Sequence, residues 1–367
     1  MMDTNERGNN MNKRLTGSLL AILLVFTLAL VGCTKKEEPK AAVKAAATNA
    51  AQMTSYAMTS QFKITNLAFT TADGKASTDP TTAQIANTLK NAQVSVTGMY
   101  QSNPMQTEMT MNVNLSDGAI NIKLPMIMTQ ETMYVKIPQI PMLPLPETVV
   151  GKFLKLDLKE LAEMEGQEYK PLSVETSQKL SQELSSAVLD KYDQAKYFKD
   201  VDKKDAALPE GVDAKQVVQF AVTNENAKEA VTIFVKQALP AVLDVLSKEE
   251  YRSALNITQS DLDEVKKSLQ SEDSQNEFTK TVNEMDKYMT LNQFHVDTAI
   301  NDDNFPVYQK MVMDAVFANP DTKENVKVAL EGSSQYSKIN EKQTFSLGIP
   351  TGDDVVTMDQ LQQEMGY

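Results

Sequence analysis

Residues 105–124 read MQTEMTMNVNLSDGAINIKL. Met109, Met111, Val113 and Leu115 alternate with Glu108, Thr110, Asn112 and Asn114. After Ser116-Asp117-Gly118, Ile120, Ile122 and Leu124 alternate with Asn121 and Lys123. Side chains on a strand point to opposite faces in turn, so this pattern predicts two strands, each with one dry and one wet face. That is the habit of antiparallel sheets. The Ser-Asp-Gly triplet between them is a tight hairpin signal.

The same period extends in both directions. Upstream, Val94, Val96 and Tyr100 oppose Gln93, Ser95 and Thr97, and Tyr56, Met58, Phe62 and Ile64 oppose Ala57, Thr59, Gln61, Lys63 and Thr65. Downstream come Met133, Val135 and Ile137, then Leu154, Leu156 and Leu158. Past residue 290 the alternation resumes in Phe294, Val296 and Ile300. It continues in Val307, Met311, Met313 and Phe317, then in Val326, Val328 and Leu330, and last in Phe345, Leu347 and Ile349. His295 and Asp297 take the wet side of the first of these, and Asn301-Asp302-Asp303-Asn304 reads as a turn.

Between the two groups of strands the period lengthens. Leu180, Leu184 and Val188 define one helical stripe, and Val217, Phe220 and Ala221 suggest a shorter second. The clearest runs from Val231 to Leu246, with Pro240 expected to kink or split it. Thr258-Gln259-Ser260-Asp261 resembles a capping box opening a helix with Leu262, Val265 and Leu269. Phe278, Val282, Met285 and Met289 form the final stripe. Strands, then a helical middle over about 173–289, then strands argue for an α+β fold rather than a parallel βαβ one. Residues 72–89 read as a polar loop with a short helix around Ile85 and Leu89.

The amino-terminal segment carries an address. Lys13 and Arg14 precede an apolar run from Leu15 to Leu30, and Val31-Gly32-Cys33 then leads into Thr34-Lys35-Lys36-Glu37-Glu38. A basic stretch, an apolar core and a small residue before the cleavage point are the parts of a secretory signal. Here the only cysteine of the chain follows the small residue, which resembles the bacterial lipoprotein signal. That resemblance implies cleavage before Cys33, lipidation of its thiol, and anchoring to the extracytoplasmic face of a membrane. A plain transmembrane anchor is the competing reading, although it has no need of the Gly32-Cys33 pair. Met11 is the more typical start of such a signal than Met1. Residues 33–51 then read as the acylated cysteine and a Lys/Glu/Ala-rich tether, with the start of a helix in its Ala-rich end.

A single cysteine allows no intrachain disulfide. Removing residues 1–32 leaves 335 residues, and it takes three basic and two acidic side chains from the chain's 36 and 49, giving a net charge of −14. An acidic surface repels nucleic acid and argues against a polybasic headgroup site. The chain contains one histidine and no tryptophan, a sparse toolkit for catalysis. His295 reads as a solvated strand residue before it reads as a general base. The 301–304 turn lacks the ligand spacing of a calcium loop, and no phosphate loop, nucleophile elbow or zinc motif occurs. No metal or other cofactor is expected, and no catalytic residue is assigned.

Eight of the 20 methionines fall between Met99 and Met142. Methionine fills irregular cores, and it equally suits surfaces that accept ligands of variable shape. Pro138, Pro141, Pro144 and Pro146 make the segment between them either a connector across the sheet or a stiff flap.

Met53-Thr54-Ser55-Tyr56, Tyr134-Val135-Lys136-Ile137-Pro138, Lys152-Phe153-Leu154-Lys155-Leu156 and Phe345-Ser346-Leu347-Gly348-Ile349-Pro350, together with the lipoprotein-type start, resemble the LolA-like and LppX/LprG-like superfamily of bacterial lipid- and lipoprotein-carrier domains. The resemblance spans roughly residues 50–350. It implies a curved antiparallel half-barrel over 52–350 with helices on its concave face, followed by a tail at 351–367. It also implies a greasy cavity with no catalytic residues to carry over. The expected lining is Met58, Phe62, Met109, Met111, Val113, Met133, Val135, Met311 and Met313, holding an acyl-chain ligand. A solid-cored structural or sensory envelope lipoprotein is the alternative, and an enzyme acting on envelope polymers is the third reading.

Overall fold

The computed structural model describes residues 36–140, 145–164, 166 and 168–365. Cys33 and the apolar run before it lie outside the described residues, as does the stretch 141–144 within the proline-rich segment. The fold is mixed α+β, built on one large unclosed sheet of twelve strands in the order β12-β6-β5-β4-β3-β2-β1-β11-β10-β9-β8-β7. In chain order these are β1 (Ser55–Thr70), β2 (Gln93–Ser102), β3 (Met105–Leu115), β4 (Ile120–Thr129), β5 (Thr132–Lys136), β6 (Phe153–Asp157), β7 (Phe198–Val201), β8 (Gln216–Val222), β9 (Met289–Ile300), β10 (Pro306–Ala318), β11 (Asn325–Ser337) and β12 (Val355–Val356). Every pairing is antiparallel except that of β12 with β6.

The alternation read in the sequence is the pleat of this sheet. β3 and β4 pair through the Ser116–Gly118 turn, where Asp117 and Gly118 take the positive φ values of 54° and 88° that a tight reversal needs. β9 and β10 are joined by the 301–304 turn, whose Asn301 side chain accepts from the Phe305 amide at 2.7 Å. The helices follow their caps. Thr258 and Asp261 exchange side-chain and backbone hydrogen bonds in a capping box that opens Gln259–Gln270. Pro240 is accommodated by a π-helical turn, Phe234–Ala238, inside an otherwise continuous helical run from Ala227 to Leu246. Proline has no N–H to give and crowds the preceding turn, so the backbone widens there.

Four sequence readings are corrected. The Val217, Phe220 and Ala221 stripe belongs to strand β8, so β7 and β8 interrupt the helical middle; β8 is covered on both sides, with Val217 and Val218 both essentially inaccessible, and two-sided burial erases the period of two. The Ala-rich tether is mostly a docked helix, α1 (Pro39–Ala51), whose Ala42, Val43, Ala46 and Ala47 are buried. Small side chains let it lie close against β7, β8 and β10. The Phe345–Ile349 alternation forms no strand. The segment crosses the polar face of the sheet, and the amides of Ser346, Leu347 and Gly348 all donate to the Glu108 carboxylate, at 2.8, 2.9 and 2.7 Å. Residues 351–365, read as a tail, return the chain to the sheet as β12 and end in the helix Met358–Met365.

Candidate functional site: one charge-free face of the sheet

Cross-strand partners share a face, so the registers define that face residue by residue. Met58 stands opposite Gly98 and Tyr336, and Phe62 opposite Val94 and Gly332. Gly98 pairs with Met109, Val96 with Met111 and Val94 with Val113. Met109 then faces Met126, Met111 faces Leu124, and Val113 faces Ile122. Met126 and Met128 lead to Val135 and Met133, and these to Leu154 and Leu156. On the other side Gly332 and Leu330 pair with Met311 and Met313, which pair with Val296 and Phe294. Phe294 and Val296 pair with Val222 and Phe220.

Met58, Phe62, Met109, Met111, Val113, Met133, Val135, Met311 and Met313 are therefore all on one face, drawn from the four strands β1, β3, β5 and β10. Met105, Met126 and Met128 join them, and Met99 points to the other side. From β6 across to β9, the described residues of this face include no charged side chain. The polar exceptions partner one another or sit near an edge; Ser60 and Ser334, for example, share a hydrogen bond of 2.8 Å. The opposite face carries Lys63, Glu108, Lys123, Lys155, Asp297, Lys310 and Glu331 at the alternate positions.

Cover over this face is uneven. At the β7–β9 end, Phe198, Val218 and Ile300 are buried with Val43, Ala46, Ala230 and Ile233 from the helices. Leu291 and Ala315 are buried beside Ala227 and Met285. At the β6 edge, Leu154 packs with Ile137, Val149, Val356 and Leu361. Between these ends, no α-helix among the described residues packs substantially on β2, β3, β4 or β5. The face there is only partly buried throughout, and Phe62 keeps 40% of its surface in solvent.

Two glycines shape the middle of the face. A Cβ at Gly98 would lie 2.7 Å from the Glu108 carbonyl oxygen and 3.0 Å from the Met109 Cβ, so the close strand approach there requires glycine. Gly332 leaves a shallow depression over which the Met311 methyl and the Phe62 ring lean, each within 4 Å of where a Cβ would stand. An aromatic cluster closes the end nearest α1. The Tyr56 ring lies 5.3 Å from that of Tyr100 and 5.5 Å, edge-on, from that of Tyr336. Burial, helped by the neighbouring Tyr100, pushes the Tyr56 hydroxyl up to about 12.

Other sequence candidates take structural roles. His295 is less solvated than its alternation suggests, because its Nε2 sits 3.3 Å from an Asp297 carboxylate oxygen and its Nδ1 lies 3.2 Å from the Gln293 amide. Asp297 in turn accepts from Gln219 at 2.7 Å. Among the described residues no group of three or more His, Cys, Asp or Glu side chains is placed to hold a metal ion. None of their single helices is long and apolar enough to cross a membrane. The missed feature is the docking of α1, for which the alanine spacing at 42, 43, 46 and 47 was the available signal. The sequence matches no protein-family model, and no curated protein matches it.

Proposed function

We propose that this protein is a membrane-anchored extracytoplasmic lipoprotein that binds or carries an acyl-chain ligand without catalysis. The observation that carries the reading is the open, charge-free and methionine-rich part of the sheet face from β10 to β5. Strand spacing and rise give that part an area on the order of 10³ Å². Monomeric soluble proteins rarely leave more than a few hundred Å² of contiguous apolar surface uncovered, and larger patches mark interaction sites. An acyl chain gains about 0.8 kcal/mol per methylene removed from water, wherever along the face it lies. Flexible methionines allow chains of different length and unsaturation to be accepted.

In this reading the sheet is curved in the manner of a half-barrel, the open face is its concave side, and the helices at the β7–β9 end form one wall. The lipidated Cys33 holds the domain at the outer surface of the cell membrane. The partners are therefore that membrane and the lipid-like ligand, with no nucleic acid. The test is retention of a radiolabelled fatty acid by the wild-type chain and by Met111→Asp. A charge at the centre of the face should abolish retention while secretion and fold persist. Equal retention in both would remove the face as the binding surface.

A further inference from the structure

The net charge of −13 hides a local reversal around Lys36. A recess at that point is lined by Lys36, Lys203, Lys204 and Lys215, with Asp202 the one acidic side chain and Gln216 on its floor. Lys204 stands 3.4 Å from Asp202, and Lys215 donates to the Asn304 side chain. Two devices fix the recess. Gln216 donates to the Glu37 carbonyl at 2.9 Å and to Asp200 at 2.8 Å, pinning the incoming chain to the start of β8. The loop bearing Lys203 and Lys204 is held by Ala206 and Ala214, buried with Val217, Ala299 and Tyr308 on the polar side of the sheet.

We propose that this lysine-lined recess is a headgroup-binding surface for the phosphates of an anionic bilayer, the one in which Cys33 is anchored. The inference rests on the lipid-anchor reading for its geometry. Cys33 precedes Lys36 by three residues, a reach of at most about 10 Å. With α1 docked rather than extended, no longer tether exists to lift the recess away from the surface. Each lysine near an anionic surface raises membrane partition about fivefold, and here four lysines line the recess with Asp202, while the nearby Asp200 carboxylate is engaged by Gln216. Whole-chain charge argues against such a site because it averages over a surface that the membrane never meets. The patch also sets an orientation, with the ends of β8, β9 and β10 at Gln216, Ile300 and Pro306 toward the membrane and the Ser116–Gly118 turn away from it.

The test is amine-reactive footprinting of the full chain, isolated from the membranes of an expressing bacterium. The chain is reconstituted in vesicles of phosphatidylcholine alone or with about a third phosphatidylglycerol. Lys36, Lys203, Lys204 and Lys215 should be protected severalfold on the anionic vesicles only. Lys90 and Lys323, which sit at the opposite ends of the strands, should be unchanged. The double variant Lys203→Glu/Lys204→Glu should lose the protection, and Lys36→Glu, at an exposed position ahead of α1, should weaken it. Labelling that is indifferent to vesicle charge, or protection spread over all lysines, would overturn the proposal. If mass analysis shows Cys33 without acyl groups, the anchor reading fails, and flotation of the chain from Thr34 onward decides the patch by itself. Capture by anionic vesicles that is lost in raised salt would retain the proposal, and no capture would end it.

Discussion

The two halves of the apolar face belong to one sheet and differ in what lies over them. At the β7–β9 end, Val218 has no accessible surface and Phe198 keeps 5%, because α1 and the helix Ala227–Ile233 pack directly on them. Six strands from β8, Met111 occupies the same face, flanked by Thr110 and Asn112, and stays only partly buried. A dry face in a sequence thus states what a strand avoids showing to water; it does not state what covers the strand. The covered half supplies stability, and the open half is the surface to which the proposed function assigns the ligand.

The sharpest way to break this comparison is to put the same charge into both halves. Val218→Asp buries an unpaired carboxylate under the helices and should cost at least about 3 kcal/mol, enough to unfold a marginal domain. Met111→Asp should cost about 1 kcal/mol or less, since its carboxylate reaches water. Denaturant midpoints of the two variants measure the difference, and equal losses would mean that the middle of the face is covered after all.

The polar side of the sheet gives a second, smaller contrast. Glu108 is 3% exposed and satisfies three strap amides, and Glu108→Gln replaces an ionised acceptor with a neutral amide of the same shape. The expected loss is about 1–3 kcal/mol, with faster amide exchange at 346–348 and none of the helical layer affected. A strap that exchanges at wild-type rate in the variant would show that the carboxylate does not hold it.

Tyrosine ionisation tests both ends of the face together. Burial raises Tyr56 beside the open half, and Tyr192 and Tyr197 within the covered half, to about 12 from the usual 10. A raised folded-state value means that the contribution to stability is complete below pH 10. It is lost as pH climbs through the folded value near 12. The melting temperature should therefore hold to pH 10 and fall between 10 and 12, in step with tyrosinate absorbance. The smallest expected effect is Thr258→Ala, which removes one side of the capping box and should cost about 1 kcal/mol. It acts locally on the helix Gln259–Gln270, outside the apolar face, so it should leave fatty-acid retention unchanged.

The strands with one wet face were legible because alternation survives whenever one side stays in water. The pattern from Tyr56 to Leu156 and from Phe294 to Leu330 falls on the observed sheet, and the nine lining candidates fall on one face of it. Strand β8 was illegible for the opposite reason, since Val217 is buried under the 202–214 loop and Val218 under the helices. The docking of α1 was hidden by its composition, because alanines that permit close packing also compose a spacer. The Phe345–Ile349 stretch alternates without pairing, with Leu347 43% and Ile349 50% exposed. Its amides are satisfied by one side chain on another strand, an arrangement that no local pattern encodes. The lysine recess joins residues 36, 203, 204 and 215, which only the folded chain brings together.

The most direct test of the central claim is mass spectrometry of an organic-solvent extract of the chain from Thr34 onward, purified from a bacterial host without detergent. An open acyl-binding face predicts a stoichiometric lipid in the wild-type extract and none in that of Met111→Asp. A wild-type extract that stays empty, even after incubation with membrane lipids, would contradict the account and assign the open half of the face to a protein partner.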